Sequence, residues 1–129
     1  KISDNEIQFV TGKEDYDEGI RCLQEKYQIP LILLTMGKEG SRAYYKGMRV
    51  ESSGFSVKTI ETTGAGDTFT GSVLNYLLEH DFNNLTEKQL EELLKLANAA
   101  AAIVTTRKGV IRAIPKKSEI EELLQRNML

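Results

Sequence analysis

The stretch "TTGAGDTFTG", residues 62–71, places three small residues and a carboxylate where an apolar helical pattern begins. A turn that delivers Gly64, Ala65 and Gly66 to a helix N-terminus leaves backbone N–H groups that no side chain obstructs. These groups and the positive end of the helix dipole form a site for an anion such as phosphate. Asp67 follows directly, and a carboxylate there can act as the general base that takes a proton from an attacking hydroxyl.

The same residues also have a purely structural explanation, in which Asp67 caps the helix and the glycines make a tight turn. Spacing excludes two other phosphate motifs. A dinucleotide fingerprint would need glycine where Phe69 stands. A Walker A loop would need a Gly-Lys-Ser/Thr run, whereas Gly71 is followed by Ser72 and Val73.

Two helices are predicted at the start of the chain. Ser3 followed by Glu6 is a reciprocal capping box, and Gly12 is a C-cap residue, so a short first helix lies between them. The second helix ends before Pro30. It is indicated by apolar residues at spacings of four and three, which are Tyr16, Ile20, Leu23 and Tyr27.

A buried strand follows these helices. The run "LILLT", residues 31–35, is short and continuously apolar, which is typical of a strand buried on both faces. A helix followed by such a strand favours a parallel sheet. Three short alternating segments separated by glycine turns then predict an antiparallel meander at one edge, with the sequences "SRAYYKG", "MRVES" and "SVKTIE".

The second half of the chain is predicted to be helical. An apolar stripe begins at Phe69 and continues to His80, and Thr86 is the N-cap of a long helix whose second half is almost pure alanine. Alanine allows close approach, either of a flat ligand or of another helix. Ser118 and Glu121 repeat the capping pattern before a last helix in "SEIEELLQRNML".

Composition argues against several kinds of partner. The net charge of −2 over 129 residues gives no basic surface for nucleic acid or an anionic membrane. Apolar runs fall short of the roughly 18–20 residues that cross a bilayer. Cys22 is the single cysteine, so no intrachain disulfide or cysteine-built zinc site can form. We expect Cys22 to be a small residue of the core. We therefore expect a soluble, cytoplasmic protein, and because the chain begins with Lys1 at a helix start, we expect it to be part of a longer one.

The glycine stretch resembles the C-terminal signature of the ribokinase-type (pfkB) carbohydrate kinases, Asp-Thr-x-Gly-Ala-Gly-Asp followed by a helix. Its neighbours are similar too. "LLTMGKEGSRAYY" resembles the family's strand and ATP loop, and "ANAAAAIVTTRKGVIRAIP" its adenine helix and cation loop. The opening "KISDNEIQFVTG" resembles the fructokinase branch. The likeness covers nearly the whole chain in consistent order.

The resemblance implies an α/β fold of three layers, a parallel sheet with helices on both faces and a short antiparallel hairpin. Residues 1–129 would be the C-terminal, ATP-binding and catalytic part of a ribokinase-like domain. The N-terminal sugar-binding part and its lid would be absent. If their strands normally flank "LILLT", we expect the chain to associate through that exposed edge, as a homo-oligomer or an aggregate.

The resemblance also implies roles for individual residues. Asp67 would deprotonate the sugar hydroxyl, and the N–H groups of Gly64, Ala65 and Gly66 would form the anion hole for the transferred phosphoryl group. The residues implied for ATP and Mg²⁺ are Thr35, Gly37, Lys38, Gly40, Gly66, Asn98 and Glu6. For Glu6, the capping box is an equally good explanation.

A potassium site is implied as well, because many relatives bind K⁺ through main-chain carbonyls beside the anion hole. The matching positions are Glu61, Thr63, Val104, Arg107, Gly109 and Ala113. Glu61 replaces the usual Asp of the family, and Ala113 lacks the hydroxyl that ribokinase has there.

The implied activity is transfer of the γ-phosphate of ATP to a sugar hydroxyl in the intact enzyme, with fructose giving fructose 6-phosphate. Two alternatives stay open. The chain could be a truncated nucleotide- or anion-binding fragment without activity, or the enzyme could act on another sugar, a phosphosugar or a nucleoside.

Overall fold

A computed structural model describes residues 1–127 of the chain. The sheet consists of β1 (Ile2–Ser3), β2 (Leu31–Thr35), β3 (Ser41–Tyr45) and β4 (Met48–Ser52). The helices are α1 (Asp4–Thr11), α2 (Tyr16–Tyr27), α3 (Ala65–Leu78), α4 (Glu87–Thr105), α5 (Val110–Ala113) and α6 (Lys117–Arg126). Short 3₁₀ turns lie at Gly37–Glu39 and Phe82–Asn84. Met128 and Leu129, which the predicted last helix includes, lie outside the described residues.

The sheet is mixed, in the order β1-β2-β3-β4. Only β1 and β2 are parallel, and the other two pairs are antiparallel. The prediction of a parallel sheet is therefore wrong for most of the strands described, whereas the predicted hairpin is confirmed as β3–β4. The two residues of β1 pair with Leu34 and Thr35, so the first three residues of β2 have no strand partner on that side within residues 1–127. Association through this edge stays a prediction.

Helices cover both faces of the sheet because its strands alternate apolar side chains between the two faces. Leu33, Ala43, Tyr45 and Val50 pack in one cluster with residues of α3 and α4. Ile32, Leu34 and Tyr44 pack on the opposite face with Ile7 of α1 and Ile20 of α2. The prediction that "LILLT" is buried on both faces is thus confirmed.

The alanine-rich half of α4 packs closely against its neighbours. Ala97 and Ala99 are fully buried and Ala100 nearly so. Short side chains let the helix backbone approach the sheet and α3 without a gap, which is the structural alternative that the sequence left open. Ala101 and Ala102, further along α4, line a cavity instead. The alanines of α4 therefore serve both for close packing and for lining a cavity.

Three local predictions fail. The segment "SVKTIE" is not a strand, because the backbone N–H groups of Ile60 and Glu61 donate to the carbonyl of Thr105 rather than to β4. The last helix has its N-cap at Lys116 rather than Ser118, since Glu119 accepts a 2.7 Å hydrogen bond from the Lys116 backbone. The third concerns Cys22, which was expected in the core and is exposed.

The length and charge of the helices described do not fit a membrane span. The longest of them, α4, has 19 residues, and its first half carries several charged side chains. Over residues 1–127, no helix is both long enough and apolar enough to cross a membrane.

The burial of leucines in α3 and α4 predicts contrasting effects of truncation. Replacing the fully buried Leu90 by alanine leaves a cavity in the core, so we expect Leu90→Ala to lower the free energy of unfolding by about 2–5 kcal/mol. Leu78 is 86% exposed, and Leu78→Ala should change it by less than about 0.5 kcal/mol. Urea unfolding of the 129-residue chain measures both, and equal losses would contradict the packing described.

Candidate functional site

The glycine turn requires glycine at its first position. Gly64 is the N-cap of α3 and has φ of +86°, a left-handed conformation that side chains disfavour. A Cβ atom there would also lie 2.6 Å from Cγ1 of Val110. The turn is closed by two hydrogen bonds, from the Ala65 N–H to the Thr62 carbonyl at 3.3 Å and from the Thr68 N–H to the Gly64 carbonyl at 2.9 Å.

This geometry leaves backbone donors without acceptors at the start of α3. Within residues 1–127, the N–H groups of Gly66 and Asp67 have no hydrogen-bond acceptor. They point outward at the positive end of a 14-residue helix. The Ala65 N–H, which the resemblance places in the anion hole, is instead bonded to the Thr62 carbonyl. Binding of an anion by the Gly64 and Gly66 N–H groups stays a prediction.

Most of the predicted nucleotide residues line a single cavity. This cavity, of about 670 Å³, lies where β2 ends and is called the strand-end cleft here. Of the predicted residues it contains Thr35, Gly37, Lys38, Gly40, Ala65, Gly66 and Asn98. The loop after β2, the first turn of α3 and the middle of α4 are therefore brought together, although they are distant in sequence.

The wall of the cleft is formed by two backbone segments in direct contact. A Cβ at Gly40 would lie 2.1 Å from the Ser52 carbonyl oxygen, and a Cβ at Gly54 would lie 2.2 Å from the Lys38 carbonyl oxygen. The Gly54 N–H donates to the Glu39 carbonyl at 3.3 Å. Glycine is required at both positions because the loop at 37–40 and the segment after β4 cross without room for side chains.

Asn98 lies at the base of this wall and is 7% exposed. Its Oδ1 accepts a 2.8 Å hydrogen bond from the hydroxyl of Ser41. Its Nδ2 donates to the carbonyls of Ser52 at 3.2 Å and Ser53 at 3.3 Å. The contact with an adenine ring that the resemblance implies stays a prediction.

Asp67 faces a different cavity from its neighbour Gly66. Its exposed side chain lines a groove of about 800 Å³ between α3, α4 and α6, called the α3 groove here. No ion pair to Asp67 is present among the residues described. Two adjacent residues in the first turn of α3 therefore line different cavities, Gly66 the strand-end cleft and Asp67 the α3 groove.

Glu6 is occupied by the capping role. Its Oε2 accepts a 2.8 Å hydrogen bond from the Ser3 backbone N–H, and this bond lowers the pKa of the Glu6 carboxyl. Ser3, Asp4 and Asn5 line the strand-end cleft, but Glu6 is not among its lining residues. A magnesium role for Glu6 stays a prediction.

The two segments of the implied potassium site lie against each other. Glu61 donates its N–H to the Thr105 carbonyl at 3.1 Å, and its carboxylate accepts a 3.5 Å hydrogen bond from the Gly109 N–H. Ala113 is buried in α5, and its N–H donates to the Gly109 carbonyl at 2.8 Å. Thr63 belongs to the first segment and is exposed.

The other two implied positions have different environments. Val104 is buried in the last turn of α4, and Arg107 forms an ion pair with Glu119 of α6. This ion pair and the Lys116 N–H lower the pKa of the Glu119 carboxyl. Coordination of K⁺ by carbonyls of these positions stays a prediction.

Sequence reasoning missed two parts of the site. Nζ of Lys1 lies 3.4 Å from where a Cβ of Gly66 would be, so an ammonium group stands beside the predicted anion hole. The segment from Gly54 to Thr59, expected to be largely strand, contributes five residues to the cleft. No residue near Lys1 in the sequence indicates that it belongs to the site. The Ser-Ser-Gly run before Phe55 did indicate a loop, but the alternating pattern of "SVKTIE" favoured a strand instead.

The residues present fit a phosphorylated ligand better than a free metal ion. In the part of the chain described, no three His, Cys, Asp or Glu side chains are grouped so that they could hold a metal ion. Mg²⁺ usually binds through one or two carboxylates together with substrate phosphates, and Asp4 supplies a carboxylate in the cleft. Lys1, Lys38 and the free amides of Gly66 and Asp67 supply positive charge and donors.

In this structure helices flank the sheet, and a strand-end loop shares one cleft with a glycine-rich helix start. This arrangement is typical of α/β proteins that bind phosphorylated ligands. Residues 1–117 match the model of the family described as pfkB family carbohydrate kinase. The chain belongs to the pfkB family.

Curated relatives agree with this assignment. The chain is 39% identical over 127 residues to a probable fructokinase-4 of Arabidopsis thaliana and 38% identical over 125 residues to a fructokinase of Solanum tuberosum. These matches cover 98% and 97% of the chain but 39% of each relative. The chain thus spans about two fifths of the length of these relatives. The matches do not confirm that it corresponds to their C-terminal part.

Solved structures show the same fold. The fructokinase of Vibrio cholerae O395, determined with fructose, ADP and calcium ion, is 35% identical and superposes with a TM-score of 0.85 over 95% of this chain and 39% of that one. The fructokinase of Xylella fastidiosa, with bound ATP, has a TM-score of 0.86 over 99% of this chain and 42% of that one. At 22% identity, the latter shows the fold alone. The ribokinase-like fold is confirmed.

The structure predicts opposite effects on stability for glycine-to-alanine substitutions at the N-cap of α3 and in its interior. Gly64→Ala forces a side chain into a left-handed conformation and against Val110, so we expect a loss of at least about 1–2 kcal/mol in unfolding free energy. Gly71→Ala meets no atom within 4 Å in a helix interior and should stabilise the chain by about 0.5–1 kcal/mol. Thermal and urea unfolding would test the pair, and a stable Gly64→Ala variant would contradict the turn geometry.

Proposed function

We propose that residues 1–129 form the ATP-binding and catalytic part of a sugar kinase that transfers the γ-phosphate of ATP to a hydroxyl of fructose. One observation carries the proposal: Gly66, whose backbone N–H has no acceptor among the residues described, lines the strand-end cleft, and the adjacent Asp67 lines the α3 groove. A phosphoryl donor and a hydroxyl acceptor can then approach the same turn from two sides.

The strand-end cleft is the proposed nucleotide site. Lys38 and the glycine loop lie at one side of it, and Gly66 and Lys1 at the other. Polyphosphate lying between these cations would have its terminal phosphate at the amides of Gly66 and Asp67. Mg²⁺, held by phosphate oxygens with Asp4 or Glu6, would neutralise part of the phosphate charge when bound.

Asp67 is the proposed general base. As the sugar oxygen attacks the γ-phosphorus, its proton passes to the Asp67 carboxylate, and the bond from the γ-phosphorus to the β,γ-bridging oxygen breaks to release ADP. The backbone N–H groups at the glycine turn stabilise the charge on the phosphoryl oxygens. Preorganised donors of this kind are worth about 3 kcal/mol each in related chemistry.

Fructose is favoured as the acceptor by the relatives. The curated matches are named fructokinases, and the Vibrio cholerae structure contains fructose with ADP. Because the chain spans about two fifths of their length, we place most sugar contacts in the remaining portion. The 129-residue chain alone should then bind nucleotide without phosphorylating sugar. The carbonyls of the segments at 61–63 and 104–113 are the proposed K⁺ ligands.

The nucleotide site can be tested on the chain as it stands. We expect MgADP to bind to the 129-residue chain in isothermal titration and to raise its melting temperature. Lys38→Gln removes a cation from the strand-end cleft and should weaken the affinity about tenfold, which is 1.4 kcal/mol. Lys26→Gln, on α2, is the matched control and should leave it unchanged. Absence of MgADP binding by the unmodified chain would refute the site.

The catalytic role of Asp67 needs the full-length protein that carries this chain. Asp67→Asn cannot accept the hydroxyl proton, so we expect kcat for fructose phosphorylation to fall by about 10²–10⁴ while the KM for ATP stays within about twofold. Glu79→Gln, which removes a carboxylate from the same helix and the same groove, should retain activity. An Asp67→Asn variant with normal kcat would show that another group takes the proton.

A further inference from the structure

Asn98 has a buried amide whose hydrogen bonds join three separate elements of the chain. It projects from the middle of α4, and its partners are Ser41 at the start of β3 and the carbonyls of Ser52 and Ser53 at the end of β4. The separations in sequence are 57, 46 and 45 residues. No other side chain described connects α4 to both of these strands by hydrogen bonds.

The orientation of the amide is fixed by its partners. The two backbone carbonyls can only accept hydrogen bonds, so the NH₂ group must face them, and both of its N–H bonds are then used. The remaining partner, the Ser41 hydroxyl, is fully buried and donates to Oδ1. In this arrangement both polar atoms of the amide have partners within the protein, Nδ2 at the two carbonyls and Oδ1 at Ser41.

The groups that Asn98 holds are the two ends of the cleft wall. Ser41 follows Gly40 at the end of the glycine loop, and Ser53 precedes Gly54 at the start of the opposing segment. These two glycines are where the backbones cross without space for a Cβ atom. The pairing of Ser41 with Ser52 and the Gly54-to-Glu39 backbone bond join the same two segments. The three hydrogen bonds of Asn98 add a side-chain link from α4 to both of them.

We infer that Asn98 is a positioning residue of the nucleotide site: it fixes the wall of the strand-end cleft through Ser41 and the carbonyls of Ser52 and Ser53, and it does not read the base. This inference rests on the proposed function of the cleft. It assigns Ser41, which does not line the cleft, to the same unit. Ser41→Ala removes one of the three hydrogen bonds and Asn98→Ala removes all three, so both should weaken nucleotide binding.

The test compares Ser41→Ala, Asn98→Ala and the double variant in the 129-residue chain. MgADP and MgIDP affinities are measured by isothermal titration. The base of IDP has an oxygen in place of the 6-amino group of adenine, so the ratio of the two affinities reports on contacts to the base. We expect each single variant to weaken MgADP binding about fivefold to tenfold. The double variant should be no weaker than the weaker single one, because both changes remove one shared interaction. The ratio of MgADP to MgIDP affinity should stay unchanged.

Ser118→Ala, a serine-to-alanine change at an exposed position of α6 that lines neither cavity, is the matched control and should bind MgADP normally. Urea unfolding shows which variants are folded at the temperature of titration. If Asn98→Ala does not fold, Asn98→Asp replaces it, since the carboxylate still accepts from Ser41 but cannot donate to the two carbonyls. In the full-length protein, Ser41→Ala should raise the KM for ATP fivefold to tenfold with kcat and the KM for fructose unchanged.

Two results would overturn the inference while leaving the proposed function intact. One is normal MgADP binding by Ser41→Ala together with a loss in Asn98→Ala, which would mean that Asn98 acts without its serine partner. The other is a changed ratio of MgADP to MgIDP affinity in Asn98→Ala, which would mean that Asn98 contacts the base. Failure of the unmodified chain to bind either nucleotide would overturn the proposed function and the inference with it.

Discussion

The close approach of α4 to the sheet is the constraint on which the site depends. Ala97 packs in the cluster that contains Ala43 and Val50 of the sheet, and its methyl group leaves little side-chain volume between α4 and the sheet. At that short separation a single amide, Asn98, can reach both β3 and β4. Larger residues on this face of α4 would hold the helix away from the sheet, and the strand-end cleft between them would lose its defined wall.

Local signals in the sequence were sufficient for the elements that form the turn. The Gly64 to Asp67 spacing gave the start of α3 and the free amides, because these follow from helix geometry alone. Thr86 and Ser3 predicted helix starts for the same reason, since their N-terminal hydrogen bonds form within one turn. The resemblance to a known family then grouped Thr35, Lys38 and Asn98, which periodicity could not have brought together.

Features that depend on contacts between distant residues could not be predicted from the sequence. The sheet is mixed because β2 pairs with the hairpin on one side, and a buried apolar run does not indicate the direction of its partners. The segment containing Ile60 alternates between apolar and polar residues like a strand, yet the N–H groups of Ile60 and Glu61 donate to the Thr105 carbonyl at the end of α4. Nothing near Lys1 in sequence reveals that its ammonium group reaches Gly66, some 65 residues later.

The proposed roles of Gly66 and Asp67 require that no residue be inserted between them. Successive residues on a helix project about 100° apart, which is how neighbours one peptide bond apart come to serve opposite cavities. One extra residue between them would rotate the acid by that angle out of its present position in the α3 groove. An insertion between these two residues would therefore separate the proposed base from the proposed anion site, whereas an insertion elsewhere along the chain would not change their relative direction.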